Sequence, residues 1–227
     1  MSEVTRIALV GASGLVGQGL LRLAVGRSDL RIVAIARREI PLPAGARMEV
    51  LVADTSGWDD AIAAARADVL VCALGTTWRK AGKDEAAFRA VDEQLVLACA
   101  RAAKAAGIRQ TIVITSVGAD LAAKNLYLRV KGEVEQALGK LRLPRLDIVR
   151  PGLLRGPRSE RRPAERLAQL VGPLGDLLLL HGKYRKYRSI RADTLARAII
   201  GLTREKAGGR FVHEHDALLR AARKGGD

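Results

Sequence analysis

Tyr127 and Lys131 stand four residues apart in NLYLRVKGEVE, and Ser116 follows the apolar run QTIVIT upstream of them. Residues at i and i+4 of a helix share a face, so this spacing sets a phenol beside an ammonium. A free phenol, with a pKa near ~10, exchanges protons poorly at neutral pH. A neighbouring cation favours the phenolate and brings such a group into working range. A serine hydroxyl at the carboxyl end of a strand can hydrogen-bond a substrate carbonyl where negative charge develops. A Tyr-x-x-x-Lys pair alone is common. Its weight comes from what precedes it: a glycine turn, then a strand ending in serine, then the pair on the next helix.

The glycine turn is GASGLVG, Gly11 to Gly17, directly after the apolar run TRIALV. Gly11 permits a tight turn, Gly14 lets a diphosphate approach the backbone, and Gly17 lets a helix pack closely on the strand. Backbone N–H groups at Ser13, Leu15 and Val16 then open the helix and face the phosphates. The spacing is GxxGxxG, not GxGxxG, and the strand-turn-helix context carries the signal. An NAD-selective site places an acid after the second strand; this chain has Arg37 and Arg38. Guanidinium groups pair with a 2′-phosphate through parallel hydrogen bonds, so the expected cofactor is NADP(H). The competing reading of the two arginines is a pair of solvated charges. Asp54, just past the third strand, is placed to accept from an adenine amino group. Pro151 and Gly152, after the sixth strand, sit where the chain passes the nicotinamide end.

These residues need a frame that brings distant loops together. Apolar runs predict strands over 5–10, 31–36, 49–52, 68–73, 110–115 and 145–149, and helical periodicity fills the intervals at 14–25, 58–67, 84–106 and 124–138. This alternation implies parallel strands with right-handed crossovers, hence an α/β doubly wound sheet. Beyond Pro151 the expectation is basic loops, helices near 163–171 and 193–203, a short strand at 210–213 and a frayed tail, RAARKGGD. The chain reads as one domain over 1–227. A cofactor-binding core of about 1–150 is followed by a small substrate cap and final strand over 151–227.

Composition narrows the partners. The 227 residues are 48% hydrophobic, enough for a sizeable core, and no apolar run approaches the ~20 residues that span a bilayer. The N-terminus lacks a signal region, and Cys72 and Cys99 lie in apolar segments as reduced thiols, so the expected location is cytoplasmic. Without a CxxC or His/Cys cluster, no metal site is expected. Residues 141–227 hold 20 of the 39 basic and 9 of the 24 acidic side chains, a net of +11 out of +15. The excess lies mainly at 155–166 and 181–191. It suits a small substrate that could be anionic, or a protein partner. The plainer reading is a solvated face in an arginine-rich chain. Aromatics at 3% and the lack of a DNA-binding motif argue against nucleic acid.

The ordered segments GASGLVG, CALGTT, ITSVGAD, YLRVKGEVE and VRPGLL resemble the short-chain dehydrogenase/reductase superfamily in its atypical branch. CALGTTWRKAGKDEAAFRAVD, SVGADLAAKNLYLRVKGEVE and RPGLLRGPRSERRPAE are similar to the Tat-interacting-protein oxidoreductases and their bacterial relatives. The resemblance covers about residues 5–200. It implies a Rossmann fold binding NADP(H), with Ser116, Tyr127 and Lys131 as the catalytic serine, tyrosine and lysine. Tyr127 would be the general acid or base, and Lys131 would also hold the nicotinamide ribose. Leu74, Gly75 and Thr76 match the segment running along the cofactor after the fourth strand. Asp92 stands at the helix position where many members carry an asparagine, so the resemblance does not carry their four-residue proton relay over to this chain. The expected activity is hydride transfer between NADPH and a small carbonyl or alcohol. The alternative is a non-catalytic NADP(H)-binding regulatory or interaction module. A nucleotide-sugar epimerase or dehydratase is less well served, because only about 75 residues follow the sixth strand.

Overall fold

Alternate residues of each central strand face opposite helix layers. Ile7 and Leu9 belong to one buried cluster, Ala8 and Val10 to the other; Val69 and Val71 oppose Leu70 and Cys72 in the same way. Strands buried on both faces read as unbroken apolar runs, which is why the period-two signal is invisible in TRIALV and DVLVCA. The computed structural model describes residues 4–156 and 182–226. In chain order the strands are β1 (Thr5–Val10), β2 (Leu30–Ala36), β3 (Glu49–Val52), β4 (Val69–Cys72), β5 (Gln110–Ile114), β6 (Arg145–Val149), β7 (Leu154–Arg155), β8 (Ile190–Arg191) and β9 (Gly209–His213). The helices are α1 (Leu15–Ala24), α2 (Trp58–Ala64), α3 (Glu85–Arg89), α4 (Val96–Ala105), α5 (Leu126–Lys140), α6 (Ala192–Thr203) and α7 (His215–Lys224).

Seven strands form one sheet in the order β3-β2-β1-β4-β5-β6-β9, each parallel to its neighbours. Helices α1, α6 and α7 cover one face; α2, α4 and α5 cover the other. The chain winds outward from β1 to β3 and returns beside β1 at β4, so the strand order reverses between β1 and β4. Open α/β sheets bind ligands at the carboxyl end of such a reversal. Register keeps the ends level: Val10 lies opposite Cys72, Cys72 opposite Val113, and Ile114 opposite Val149. Four loops therefore leave the sheet at one height, and they carry the candidate residues.

Three expectations change. The single helix over 84–106 is α3, a π-helical turn at Ala90–Leu95, and α4. No glycine or proline marks the break. Contacts from outside hold the turn: Arg89 bonds Glu133 of α5, and Asp92 bonds the loop after β4. The tail is not frayed at 220–224 but forms the end of α7, where Ala221 and Ala222 are buried. Gly201 and Gly225 allow this contact, since a Cβ on either would overlap the facing helix backbone. Lastly, most of the described final segment joins the main layers and does not cap the site. Leu195, Ala196 and Ile199 of α6 share a cluster with Leu20 and Leu21 of α1. Of the described residues there, β7, β8 and the 3-10 helix Gly182–Tyr187 form a small unit beside the carboxyl edge. The predicted helix at 163–171 and most of the basic segment 155–166 lie outside the described residues. In the second basic segment Arg185 pairs with Asp216 (3.4 Å) and Arg191 with Asp193 (3.8 Å).

A buried polar cluster ties β5, β6 and β9 together. Asp147 accepts from Gln110 Nε2 (2.7 Å) and from Arg145 Nε and Nη2 (2.7 and 2.8 Å), and lies 2.7 Å from His213 Nε2. Burial alone would raise the Asp147 carboxyl, but these hydrogen bonds outweigh it and hold it below the usual carboxylate range. Its contribution is thus complete above pH ~4, the unfolded-chain value, and is lost as pH falls through the depressed folded value. Thermal melts should show the midpoint falling below pH ~4. Asp147→Asn should cost about 3–5 kcal/mol at neutral pH by leaving Arg145 without its charge partner, and should flatten the acid slope. An unchanged midpoint at pH 7 would contradict this account.

Candidate functional site

The first wall is the turn between β1 and α1. Gly11 has φ 85°, and a Cβ there would stand 2.5 Å from the Ala73 carbonyl carbon, so the turn presses against the chain leaving β4. A Cβ on Gly17 would sit 2.6 Å from the Ala12 Cα, which makes Gly17 a packing requirement. Gly14 is different: among the described residues its Cβ would meet only the Gly11 oxygen at 3.3 Å and the Ala73 oxygen at 4.0 Å. Gly14 leaves its open side to a ligand. No side chain caps α1, and its first turn holds no acid, so its N-terminal amides and partial positive charge are available to an anion. These residues fit a nucleotide diphosphate. Arg37 and Arg38 follow β2 directly and are exposed, and Asp54 is exposed with no capping bond from its side chain.

The second wall combines the loop after β4 with the π-helical turn. Leu74, Gly75 and Thr76 leave the sheet beside the glycine turn, but the Thr76 amide is already engaged, donating to Asp92 Oδ2 at 2.7 Å. The other Asp92 oxygen pairs with Lys131 Nζ at 2.8 Å. Both side chains are buried, at 1% and 3% exposed, so no solvent screens the pair. The expected closeness of Lys131 to the phenol holds in part: Nζ lies 5.8 Å from the Tyr127 ring centroid, while its direct partner is the carboxylate. Tyr127 is held from the other side by rings. Phe88 is buried with its centroid 6.0 Å away, and Trp78 packs edge-on against Phe88 at 6.2 Å. Burial pushes the nearby Cys72 thiol up to about 11, which makes it a core atom and not a nucleophile.

The third wall is the end of β5. Thr115 and Ser116 are adjacent hydroxyls with different roles. Thr115 is buried and its hydroxyl donates to Glu135 Oε1 at 2.7 Å. Ser116 is half-buried and among the described residues bonds only the neighbouring Val117 carbonyl, at 3.2 Å, so of the two it is the hydroxyl open to a ligand. Glu135 also accepts from Arg150 Nη2 (2.5 Å) and Nε (2.9 Å), which raises the Arg150 guanidinium further above its ordinary value. Pro151 is buried and its carbonyl accepts from Val117 N at 3.0 Å. Gly152 packs directly on the backbone of Tyr187 and Arg188, closing the site toward the β7–β8 unit.

Tyr127, Lys131 and Glu135 recur every four residues, one stripe of α5 facing the sheet's carboxyl edge. Three of the residues that build the site escaped the sequence reading: Glu135, Arg150 and Phe88. A signal for the buried acids existed. Asp92 falls between Phe88 and Val96 on the apolar stripe that continues to Cys99 and Ala103, where a solvated carboxylate has no place.

The comparisons follow from this geometry. A family model described as NAD(P)H-binding matches residues 11–170. The chain belongs to this NAD(P)H-binding family. It is 31% identical over 205 residues to "Protein fmp52, mitochondrial" of Emericella nidulans, covering 87% of this chain and 86% of that one. It is 40% identical over 175 residues to "Protein HTATIP2" of Rattus norvegicus, covering 75% and 72%. Among solved structures, a "Putative NAD-dependent epimerase/dehydratase from Bacillus halodurans" superposes with a TM-score of 0.69 at 22% identity, covering 97% of this chain and 99% of that one. "MoeE5 in complex with UDP-glucuronic acid and NAD" gives 0.69 at 16% identity, covering 91% and 74%. These two share the fold. The protein is thus a member of the NAD(P)H-binding family built on a Rossmann-like parallel sheet. Among the described residues no helix is long and apolar enough to cross a membrane.

The glycine turn separates two effects. Gly17→Ala should lower stability by about 1–3 kcal/mol through overpacking. Gly14→Ala should leave the thermal midpoint near the native one while weakening NAD(P)H by at least ~10-fold, about 1.4 kcal/mol. Melting curves and titrations of both variants with NADH and NADPH check this; unchanged affinity for both in Gly14→Ala would remove the diphosphate from this turn.

Proposed function

We propose that this chain is an NADPH-dependent reductase or alcohol dehydrogenase acting on a small carbonyl or alcohol. What supports it is the placement of Ser116 just past β5 and of Tyr127 with Lys131 on α5, the ammonium 5.8 Å from the ring centroid, on the sheet whose β1–α1 turn keeps an open side at Gly14. The amides of Ser13, Leu15 and Val16 would hold the phosphates, and Arg37 and Arg38 the 2′-phosphate. Asp54 would accept from the adenine amine. Leu74, Gly75, Thr76, Pro151 and Gly152 would line the cofactor, Thr76 through groups other than its amide. When bound, the nicotinamide supplies or accepts the hydride. Ser116 Oγ would donate a hydrogen bond to the substrate carbonyl oxygen, and the Tyr127 phenol would give that oxygen its proton. Lys131 contributes a fixed positive charge beside the phenol. Two free, buried cysteines suit a reducing compartment, and we place the protein in the cytoplasm.

Two measurements test the reading. NADPH should bind at least ~10-fold tighter than NADH, about 1.4 kcal/mol, and replacing Arg37 and Arg38 with alanine should erase most of that margin. Equal affinities in calorimetric titrations would sink the NADP(H) assignment. With a substrate found by following NADPH absorbance across a panel of carbonyls, Tyr127→Phe should lose ~10²–10⁴-fold in turnover and keep its NADPH affinity. Full turnover in that variant would remove Tyr127 as the proton donor, and a panel that yields no turnover with the native protein would favour the cofactor-binding module.

A further inference from the structure

Asp92 has no part in the reaction as drawn so far, yet it touches two of its components. Its carboxylate is buried where the π-helical turn interrupts the helix, and each oxygen has one partner. Oδ2 accepts a hydrogen bond from the Thr76 amide of the loop after β4 at 2.7 Å, and Oδ1 lies 2.8 Å from the Lys131 ammonium as an ion pair. π-Helical turns are rare, hydrogen-bond poorly and concentrate at functional sites. The nearest alternative role, a plain structural acceptor for the Thr76 amide, would be met by a neutral amide. A carboxylate in a dry pocket is justified only by a charge opposite it.

We propose that Asp92 is the positioning residue for Lys131, fixing the ammonium by a direct ion pair and joining its place to the loop at Thr76. The inference rests on the cofactor reading above, in which Lys131 reaches the nicotinamide ribose. At 2.8 Å the ammonium and the carboxylate are in direct contact, and at 3% and 1% exposure both are withdrawn from bulk solvent, so the lysine is held by charge. The loop and the lysine share one carboxylate, so a shift at either partner is felt by the other. Lys131 is thereby placed before the cofactor arrives, and less ordering remains to be done on binding.

The test is a double-mutant cycle on NADPH affinity in the intact protein, with thermal midpoints recorded beside it. Asp92→Asn keeps the shape and the acceptor for Thr76 but removes the charge. It should weaken NADPH ~10-fold in the native background and by less than ~2-fold in a Lys131→Met background, because its effect passes through the lysine. The same loss in both backgrounds, or none in the native one, would overturn the proposal and leave Asp92 as part of the loop's structure. Should Asp92→Asn fail to fold, recovery of folding in Asp92→Asn/Lys131→Met would support the pair, since no lone charge then remains buried. Failure in both would refute it. An unaltered protein that binds no NADPH would instead remove the cofactor reading and this inference with it, a result distinct from binding without coupling.

Discussion

The ion pair between Lys131 and Asp92 is the constraint around which the carboxyl edge is organised. Two opposite charges out of water are tolerable only together, and removing either partner leaves the other uncompensated. The pair therefore demands that α5, the π-helical turn and the loop after β4 meet at one point. Tyr127 shares the stripe of α5 that carries Lys131, so the same demand orients the phenol. A second buried acid repeats the device four residues on. Glu135 joins α5 to Thr115 at the end of β5 and to Arg150 at the end of β6. Between them, the two acids attach one helix to three strand ends.

The sheet supplies the common height on which this depends. Level registry from β1 to β6 delivers the glycine turn, the Leu74–Thr76 loop, Ser116 and Pro151 to one edge. The order reversal between β1 and β4 opens the crevice. Gly11 and Gly17 permit close backbone contacts, so the turn lies against Ala73 and closes on itself through Gly14 N–H to the Gly11 carbonyl, while no described side chain caps α1. Arg89 adds a stay on the outer side, bonding Glu85, Glu93 and Glu133 and so fastening α3 to α5. That network raises the Arg89 guanidinium well above its ordinary range, chiefly through Glu133. Rigid support of this kind suits a site whose parts come from segments far apart in the chain.

Similarity to HTATIP2 and fmp52 proteins runs through most of the chain, whereas the solved neighbours share its sheet at low identity. The nucleotide-sugar complexes among those neighbours belong to longer chains: this protein covers 74% of MoeE5. In this chain α6, β9 and α7 extend the sheet and its helix layer, which leaves little described chain over the site beyond the β7–β8 unit.

Much of this was legible in the amino-acid sequence. Apolar runs separated by helical periodicity yield the six core strands and their parallel arrangement, because burial on both faces leaves an unmistakable composition. The glycine turn, the strand-end serine and the Tyr127–Lys131 spacing are local, so their placement follows from the next few residues. What the sequence could not decide is long-range. Nothing in DEAAFRAVDEQLVLACARAAKAA breaks a helix, and the π-helical turn exists because Asp92 and Arg89 are held by groups from other elements. The difference between Thr115 and Ser116, neighbours of similar chemistry, is made by Glu135 twenty residues away. The basic tail orders as α7 only because Gly201 lets it approach α6. Propensity and periodicity are sums over neighbours in the chain; a buried charge finds its partner only after the chain has folded.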